Sequence, residues 1–125
     1  ADANRNEPFE VDWVSGSCML IRRLALGDTG LMDEKYFMYV EDTDICFQMW
    51  KKGWKVIYYP FAEILHHIGG STHGGEVSSS IRMQKSVLYF FWKNYRKTWQ
   101  VVLLPLVVMV LGIRIFLTFI KNHIV

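Results

Sequence analysis

The chain has 125 residues, of which 51% are hydrophobic and 15% aromatic. This is enough for one compact domain, and it argues against disorder over most of the length. The net charge is only +2, which argues against a nucleic-acid binder recognised by bulk charge. Two cysteines, Cys18 and Cys46, form no Cys-x-x-Cys pair, so both are expected to be buried thiols.

The first half of the chain alternates short apolar runs with turn residues. The expected elements, in chain order, are strands at 11–13 and 17–21, a helical turn at 22–27, a helix at 41–52, and strands at 55–59 and 62–66. In the helix, Ile45, Met49 and Trp50 are expected to share one face, and Gly53 suits a left-handed stop. The alternation predicts an α/β or α+β fold.

The second half becomes progressively more apolar. Residues 68–80 are rich in glycine and serine and predict a mobile loop. Residues 81–99 mix aromatic and basic side chains, and a surface helix with a buried aromatic face is the simplest interpretation. Residues 101–120 would span about 30 Å as a helix, although Pro105 and Arg114 weaken a membrane-spanning interpretation. A membrane-spanning helix, an in-plane amphipathic helix and a buried core helix all stay open, with membrane association favoured.

Three carboxylates follow an aromatic run at the predicted start of the 41–52 helix. Glu41 and Asp42 either cap the helix or place a general base at the edge of the domain. Asp44, one turn into the helix, is expected to be structural. Spacing alone favours the capping role.

Two adjacent histidines, His66 and His67, end the last predicted strand. A neutral imidazole there can bind a divalent metal, and a histidine hydrogen-bonded at a sheet edge is the alternative. A zinc site that also uses His73 and a cysteine lacks the usual ligand spacing.

Four ordered blocks of sequence resemble the C-terminal half of a bacterial family 2 glycosyltransferase of the rhamnosyltransferase-like kind. One block carries the Glu-Asp-Thr-Asp motif and another the His-His-x-Gly-Gly-Ser pattern. The blocks are residues 11–23, 30–46, 53–60 and 62–71, and residues 86–95 resemble the basic, aromatic helix that often follows. The resemblance implies a partial GT-A fold, a Rossmann-like α/β architecture. The apolar run that follows it predicts a C-terminal, membrane-associated helix. The resemblance further implies sugar transfer from a nucleotide-sugar donor to an acceptor hydroxyl with inversion, in cell-surface polysaccharide synthesis.

The resemblance also assigns roles to single residues. Asp42 would be the catalytic base and Glu41 would support or orient it. His66 would lie near a divalent metal, Mg or Mn, and the donor diphosphate. The acceptor side would be lined by Trp13, Ser15 and Gly16.

The donor half of the family pattern, with its nucleotide-binding strands and Asp-x-Asp metal motif, has no counterpart here. The chain is therefore expected to be a fragment, inactive alone, that needs an N-terminal half or a partner subunit. Residues 1–97 would form the acceptor and base part, and residues 98–125 a helical tail at the cytoplasmic face of the cell membrane. Two alternatives are a non-catalytic, membrane-tethered interaction module derived from a glycosyltransferase, and a small metal-binding membrane protein.

Overall fold

A computed structural model describes residues 6–67, 75–97 and 102–124 of the chain. They fall into two compact units. The first unit combines Ala1–Lys35 with Glu41–Ile68, and the second combines Tyr36–Val40 with Gly69–Val125. In chain order the elements are β1 (Phe9–Glu10), a 3-10 helix (Gly16–Cys18), α1 (Arg23–Thr29), α2 (Glu41–Lys51), β2 (Ile57–Tyr58), α3 (Gly75–Tyr95) and α4 (Leu104–Ile124).

The first unit contains a small antiparallel sheet. In it Phe9 is paired with Tyr58, and Glu10 with Ile57. The pairing continues by one hydrogen bond, in which Val11 N donates to the Val56 carbonyl at 2.9 Å. The strand predicted at 55–59 is thus confirmed, although it is shorter.

The other predicted strands of this unit are wrong. The paired strand is β1, which ends just before the strand predicted at 11–13. The strand predicted at 17–21 instead begins within the 3-10 helix. That helix forms because Ser15 caps its start, accepting a hydrogen bond from Ser17 N. Residues 62–67 have no regular structure, since an alternating apolar pattern alone supplies no partner strand.

Helix α2 lies where the sequence predicts it and carries the core of the first unit. It ends at Lys51, and Gly53, two residues later, has a φ of +80°, the left-handed conformation expected just after a helix. Its buried face packs with α1 and the chain leading into β2; the buried core residues are Ala25, Ile45, Cys46, Met49 and Val56. Trp50, by contrast, is 60% exposed, because consecutive residues diverge by about 100° around a helix.

The second unit is built on α3. The predicted aromatic helix is confirmed, but it begins at Gly75, so the mobile loop predicted for 68–80 is wrong for residues 75–80. Serine costs a helix only about half a kcal/mol, so a helix anchored by later apolar residues can extend through the serines. Residues 68–74, including His73, lie outside the described residues.

Contacts within the second unit attach its short first segment to α3. Ser86 donates a hydrogen bond to the Met38 carbonyl at 2.8 Å. The rings of Tyr36 and Tyr89 meet edge to face at 5.0 Å. These contacts hold the segment that directly precedes α2 in the chain.

Helix α4 packs against α3 and confirms the helix predicted for residues 101–120. Many of its large apolar side chains are exposed, among them Phe116 at 62% and Leu117 at 59%. Within the residues that the structure describes, no helix combines the length and apolarity needed to cross a membrane. Membrane association and the boundary at residue 97 stay predictions.

Candidate functional site

The acid pair, Glu41 and Asp42, begins α2. The two residues before it, Tyr39 and Val40, have φ values of 69° and 70°. This left-handed conformation is unusual for any residue with a side chain, and more so for a β-branched one. The backbone therefore turns sharply before α2, and the acids occupy the turn where unpaired helical N–H groups favour negative charge.

The Asp42 carboxylate is oriented by two backbone donors. Gly16 N donates to Oδ2 at 2.9 Å, and Thr43 N donates to Oδ1 at 2.7 Å. The Thr43 hydroxyl makes a longer contact with Oδ1, at 3.4 Å. Each carboxylate oxygen has two lone pairs. Among the described residues, the second acceptor position of Oδ1 faces this long, weak hydroxyl contact, whereas that of Oδ2 is open. Oδ2 is thus the oxygen best suited to take a proton.

Gly16 allows this close approach because it has no side chain. A Cβ atom at Gly16 would lie 3.3 Å from the Cβ of Asp42 and 3.7 Å from its Oδ2. The neighbouring Ser15 accepts from Ser17 N at 3.3 Å and also meets the Ser17 hydroxyl at 3.0 Å. The structure therefore brings Gly16 against the predicted base across 26 positions of sequence, with Ser15 next to it in the chain.

Glu41, unlike Asp42, has a buried carboxylate oxygen that accepts no hydrogen bond within the described structure. Its side chain is half-buried, and the oxygen concerned is Oε2. A buried polar atom without a partner costs about 1–3 kcal/mol. Glu41 thus has unused acceptor capacity beside Asp42, and its predicted supporting role stays a prediction.

Further along α2, Asp44 and Cys46 are buried. Asp44 is 3% exposed and its Oδ1 accepts from Gln48 Nε2 at 3.3 Å, so it is a structural helix residue. Burial raises the pKa of the Cys46 thiol; the hydrogen bond with the Val14 backbone lowers it and the negative charge of Asp42 raises it. Cys46 therefore stays a neutral thiol one turn after the candidate base.

The remaining predicted site residues, Trp13 and His66, are not joined to the acids by hydrogen bonds in the described structure. Trp13 is 52% exposed and His66 is exposed. In the described ranges, no group of three or more His, Cys, Asp or Glu side chains is placed to hold a metal ion. The described residues therefore do not assemble a metal centre around His66, and a metal role for this histidine stays a prediction.

Sequence reasoning missed two features of the site. Thr43 contributes both a backbone and a hydroxyl donor to Asp42, and the only signal for it was a threonine in the first turn of a helix. Cys18, predicted to be buried, is exposed, whereas Cys46 is buried as predicted. Cys18 ends a 3-10 helix that contributes no buried residue.

Comparison with known proteins relates the chain to one family. The family described as glycosyltransferase like family 2 matches residues 4–87. An N-acetylglucosaminyl-diphospho-decaprenol L-rhamnosyltransferase, found in two strains of Mycobacterium tuberculosis, is 43% identical over 97 residues, which are 76% of this chain and 31% of the relative. The rhamnosyltransferase WbbL of Escherichia coli is 37% identical over 57 residues, which are 46% of this chain and 22% of that protein.

No solved structure gave a significant match to the chain. The chain spans about a third of the length of the mycobacterial relatives and less of the Escherichia coli one. The family match extends from before β1 into α3 and includes the acid pair together with Gly16. The chain therefore belongs to the family 2 glycosyltransferases and is rhamnosyltransferase-like in sequence.

Proposed function

We propose that this chain supplies the acceptor and base part of an inverting glycosyltransferase with a GT-A fold. The observation that carries the proposal is the Asp42 carboxylate, held at the start of α2 by Gly16 and Thr43 within the region that matches the family. A carboxylate that is fixed in orientation and half-exposed meets the first requirement of a general base, which is geometry.

The proposed step moves one proton and one glycosyl group. Oδ2 of Asp42, which retains an acceptor position, takes the proton of the acceptor hydroxyl. The acceptor oxygen attacks the anomeric carbon from the face opposite the nucleoside diphosphate. The bond between that carbon and the diphosphate oxygen breaks, and the diphosphate leaves with the electron pair. The configuration at the anomeric carbon is thereby inverted.

The substrates follow from the relatives that the chain resembles. We propose an activated rhamnose as the nucleotide-sugar donor and a lipid-linked glycan as the acceptor, because the mycobacterial relative is a rhamnosyltransferase acting on N-acetylglucosaminyl-diphospho-decaprenol. Trp13 and Ser15 would line the acceptor side, where Gly16 already contacts the base. A lipid-linked acceptor and a nucleotide donor suit an enzyme at the cytoplasmic face of the cell membrane, in cell-surface polysaccharide synthesis.

Donor and metal binding are proposed for a nucleotide-binding half outside these 125 residues, in the same polypeptide or a partner subunit. Without that half, the isolated chain is expected to show no turnover.

The test is Asp42→Asn in the complete enzyme, assayed with the rhamnose nucleotide and a lipid-linked N-acetylglucosamine acceptor. Removing a general base is expected to lower kcat by about 10²–10⁴-fold. Asparagine keeps only one of the two oxygens that accept backbone hydrogen bonds, so the unfolding midpoint is measured as well, to show that the variant is folded at the assay temperature. The matched control is Asp33→Asn, because Asp33 Oδ1 accepts from Lys35 N at 3.1 Å and an asparagine oxygen preserves that bond. Undiminished transfer by Asp42→Asn would reject the base assignment.

A further inference from the structure

The charges of this chain are divided unevenly along its length. All twelve Asp and Glu residues occur at or before Glu76, whereas residues 77–125 contain seven Lys and Arg and no acid. In the described part of the second unit, the exposed basic side chains are Lys85, Arg96, Lys97 and Arg114. The net charge of +2 is thus the sum of an acidic first unit and a basic second unit. The positive charge of the second unit attracts anions.

Helix α4 is apolar on two faces. Between residues 104 and 118, its half-buried positions recur every three or four residues, at Leu104, Val107, Leu111, Ile115 and Thr118. This is the spacing of a face packed on a neighbour, and α3 is the helix that contacts α4. The outer face is 52–62% exposed and consists of Leu106, Met109, Val110, Ile113, Phe116 and Leu117. A helix that is apolar all round is normally covered on every side.

The end of α3 combines an aromatic ring with cations. The guanidinium of Arg96 lies 4.4 Å from the centre of the Trp92 ring, and Trp92 is 45% exposed. Lys97 is exposed directly after Arg96, and α4 begins a few residues later. Tryptophan is enriched at the boundary between lipid and water, and basic side chains beside it contact anionic headgroups.

We propose that the second unit binds the surface of an anionic phospholipid bilayer through the outer face of α4 and the basic end of α3. A bilayer with anionic headgroups offers both chemistries that this surface requires, acyl chains for the apolar face and phosphates for Arg96 and Lys97. This inference deepens the membrane location within the proposed function. Its test measures binding without turnover, so the two proposals fail separately.

The experiment is flotation of the purified 125-residue chain with two kinds of vesicle. One contains phosphatidylcholine alone, and the other also contains about one-third phosphatidylglycerol. Binding to the anionic vesicles is expected to be at least roughly tenfold stronger, given on the order of fivefold for each basic side chain near the surface. It should weaken as salt is raised, because screening shortens the reach of the surface charge.

Paired variants separate the contribution of the surface from that of charge in general. Arg96→Gln with Lys97→Gln should weaken binding about 25-fold. Arg23→Gln with Lys52→Gln removes two exposed cations of the first unit and should leave binding nearly unchanged.

The apolar face is tested in the same way. Leu106→Ser with Leu117→Ser should weaken binding at least about tenfold, since two leucines lose contact with lipid. The control, Leu20→Ser with Leu24→Ser, changes leucines of the first unit that are 102% and 70% exposed. Circular dichroism checks that α4 persists, and if it does not, the Arg96 and Lys97 pair decides the question.

Three results would overturn the proposal. They are equal binding to neutral and anionic vesicles, binding unaffected by both second-unit variants, and a stable dimer that does not bind vesicles. The last would show that a second copy, or a protein partner, covers the outer face of α4.

Discussion

Replacing Gly16 with alanine is expected to displace Asp42, the proposed base. The new methyl group would lie 3.3 Å from the Asp42 Cβ, closer than an ordinary van der Waals contact. That Cβ belongs to the first turn of α2, so rotation of the side chain does not relieve the contact. The backbone at one of the two positions must shift, and the 2.9 Å bond from Gly16 N to Oδ2 lengthens.

The magnitude follows from the hydrogen bond that is weakened. A hydrogen bond to a charged group contributes about 1.5–3 kcal/mol. Gly16 is exposed, so a small backbone shift accommodates the new methyl group, and the weakened hydrogen bond is the main cost. With partial relaxation, we expect the free energy of unfolding to fall by about 2 kcal/mol. In the complete enzyme, misplacing the base should lower kcat by roughly 10–100-fold. Urea denaturation followed by tryptophan fluorescence measures the first effect, and a transfer assay the second.

The matched control is Gly27→Ala. A Cβ at Gly27 meets no atom within 4 Å, and Gly27 lies inside α1, so alanine should stabilise the chain by about 0.5–1 kcal/mol. Gly16→Ala should also cost less in an Asp42→Ala background, where the Cβ contact persists but the carboxylate is absent. A Gly16→Ala chain as stable and active as Gly27→Ala would refute the close approach of Gly16 to Asp42.

Three further substitutions or labels test the surrounding fold. Gly53→Ala should cost about 1–2 kcal/mol of unfolding free energy, because the φ of +80° at the end of α2 disfavours any side chain. Ser86→Ala should cost about 1–3 kcal/mol, because the buried Ser86 hydroxyl donates to the Met38 carbonyl at 2.8 Å. A thiol reagent at neutral pH should label Cys18 rapidly and Cys46 slowly, because Cys46 is buried and burial raises its pKa. Because folding raises the pKa of Cys46, its neutral thiol is favoured in the folded chain. This contribution to the free energy of unfolding is fully present below the ordinary thiol pKa of 9.0, and it is lost as pH rises through the raised pKa.

The sequence predicts helix α2 well because several signals agree there. Acids at the start, apolar residues at helical spacing and a glycine at the stop all indicate the same element. It predicts the strands poorly, because a strand exists only if a distant segment pairs with it. Residues 62–67 have the composition of a strand and, in the described chain, no partner.

The site was predictable only in part, for a related reason. The acids can be found from their own sequence context. The two backbone donors to Asp42, however, lie at very different distances from it along the chain. Thr43 is the next residue, whereas Gly16 is 26 positions away. No local pattern connects Gly16 to Asp42, and only the resemblance to a family placed both on the acceptor side.

The two residues just before α2, Tyr39 and Val40, have a strained backbone next to the candidate acids. Left-handed conformations at Tyr39 and Val40 cost about 1–2 kcal/mol each, so the surrounding contacts must offset them. In the second unit, Ser86 bonds the Met38 carbonyl and Tyr89 packs on Tyr36, which holds the segment just before the strained pair. Strain of this kind persists where neighbouring structure over-determines it, often at functional sites. This strain lies immediately before Glu41 and Asp42, so relaxing it would change how the chain enters the turn that carries the proposed base.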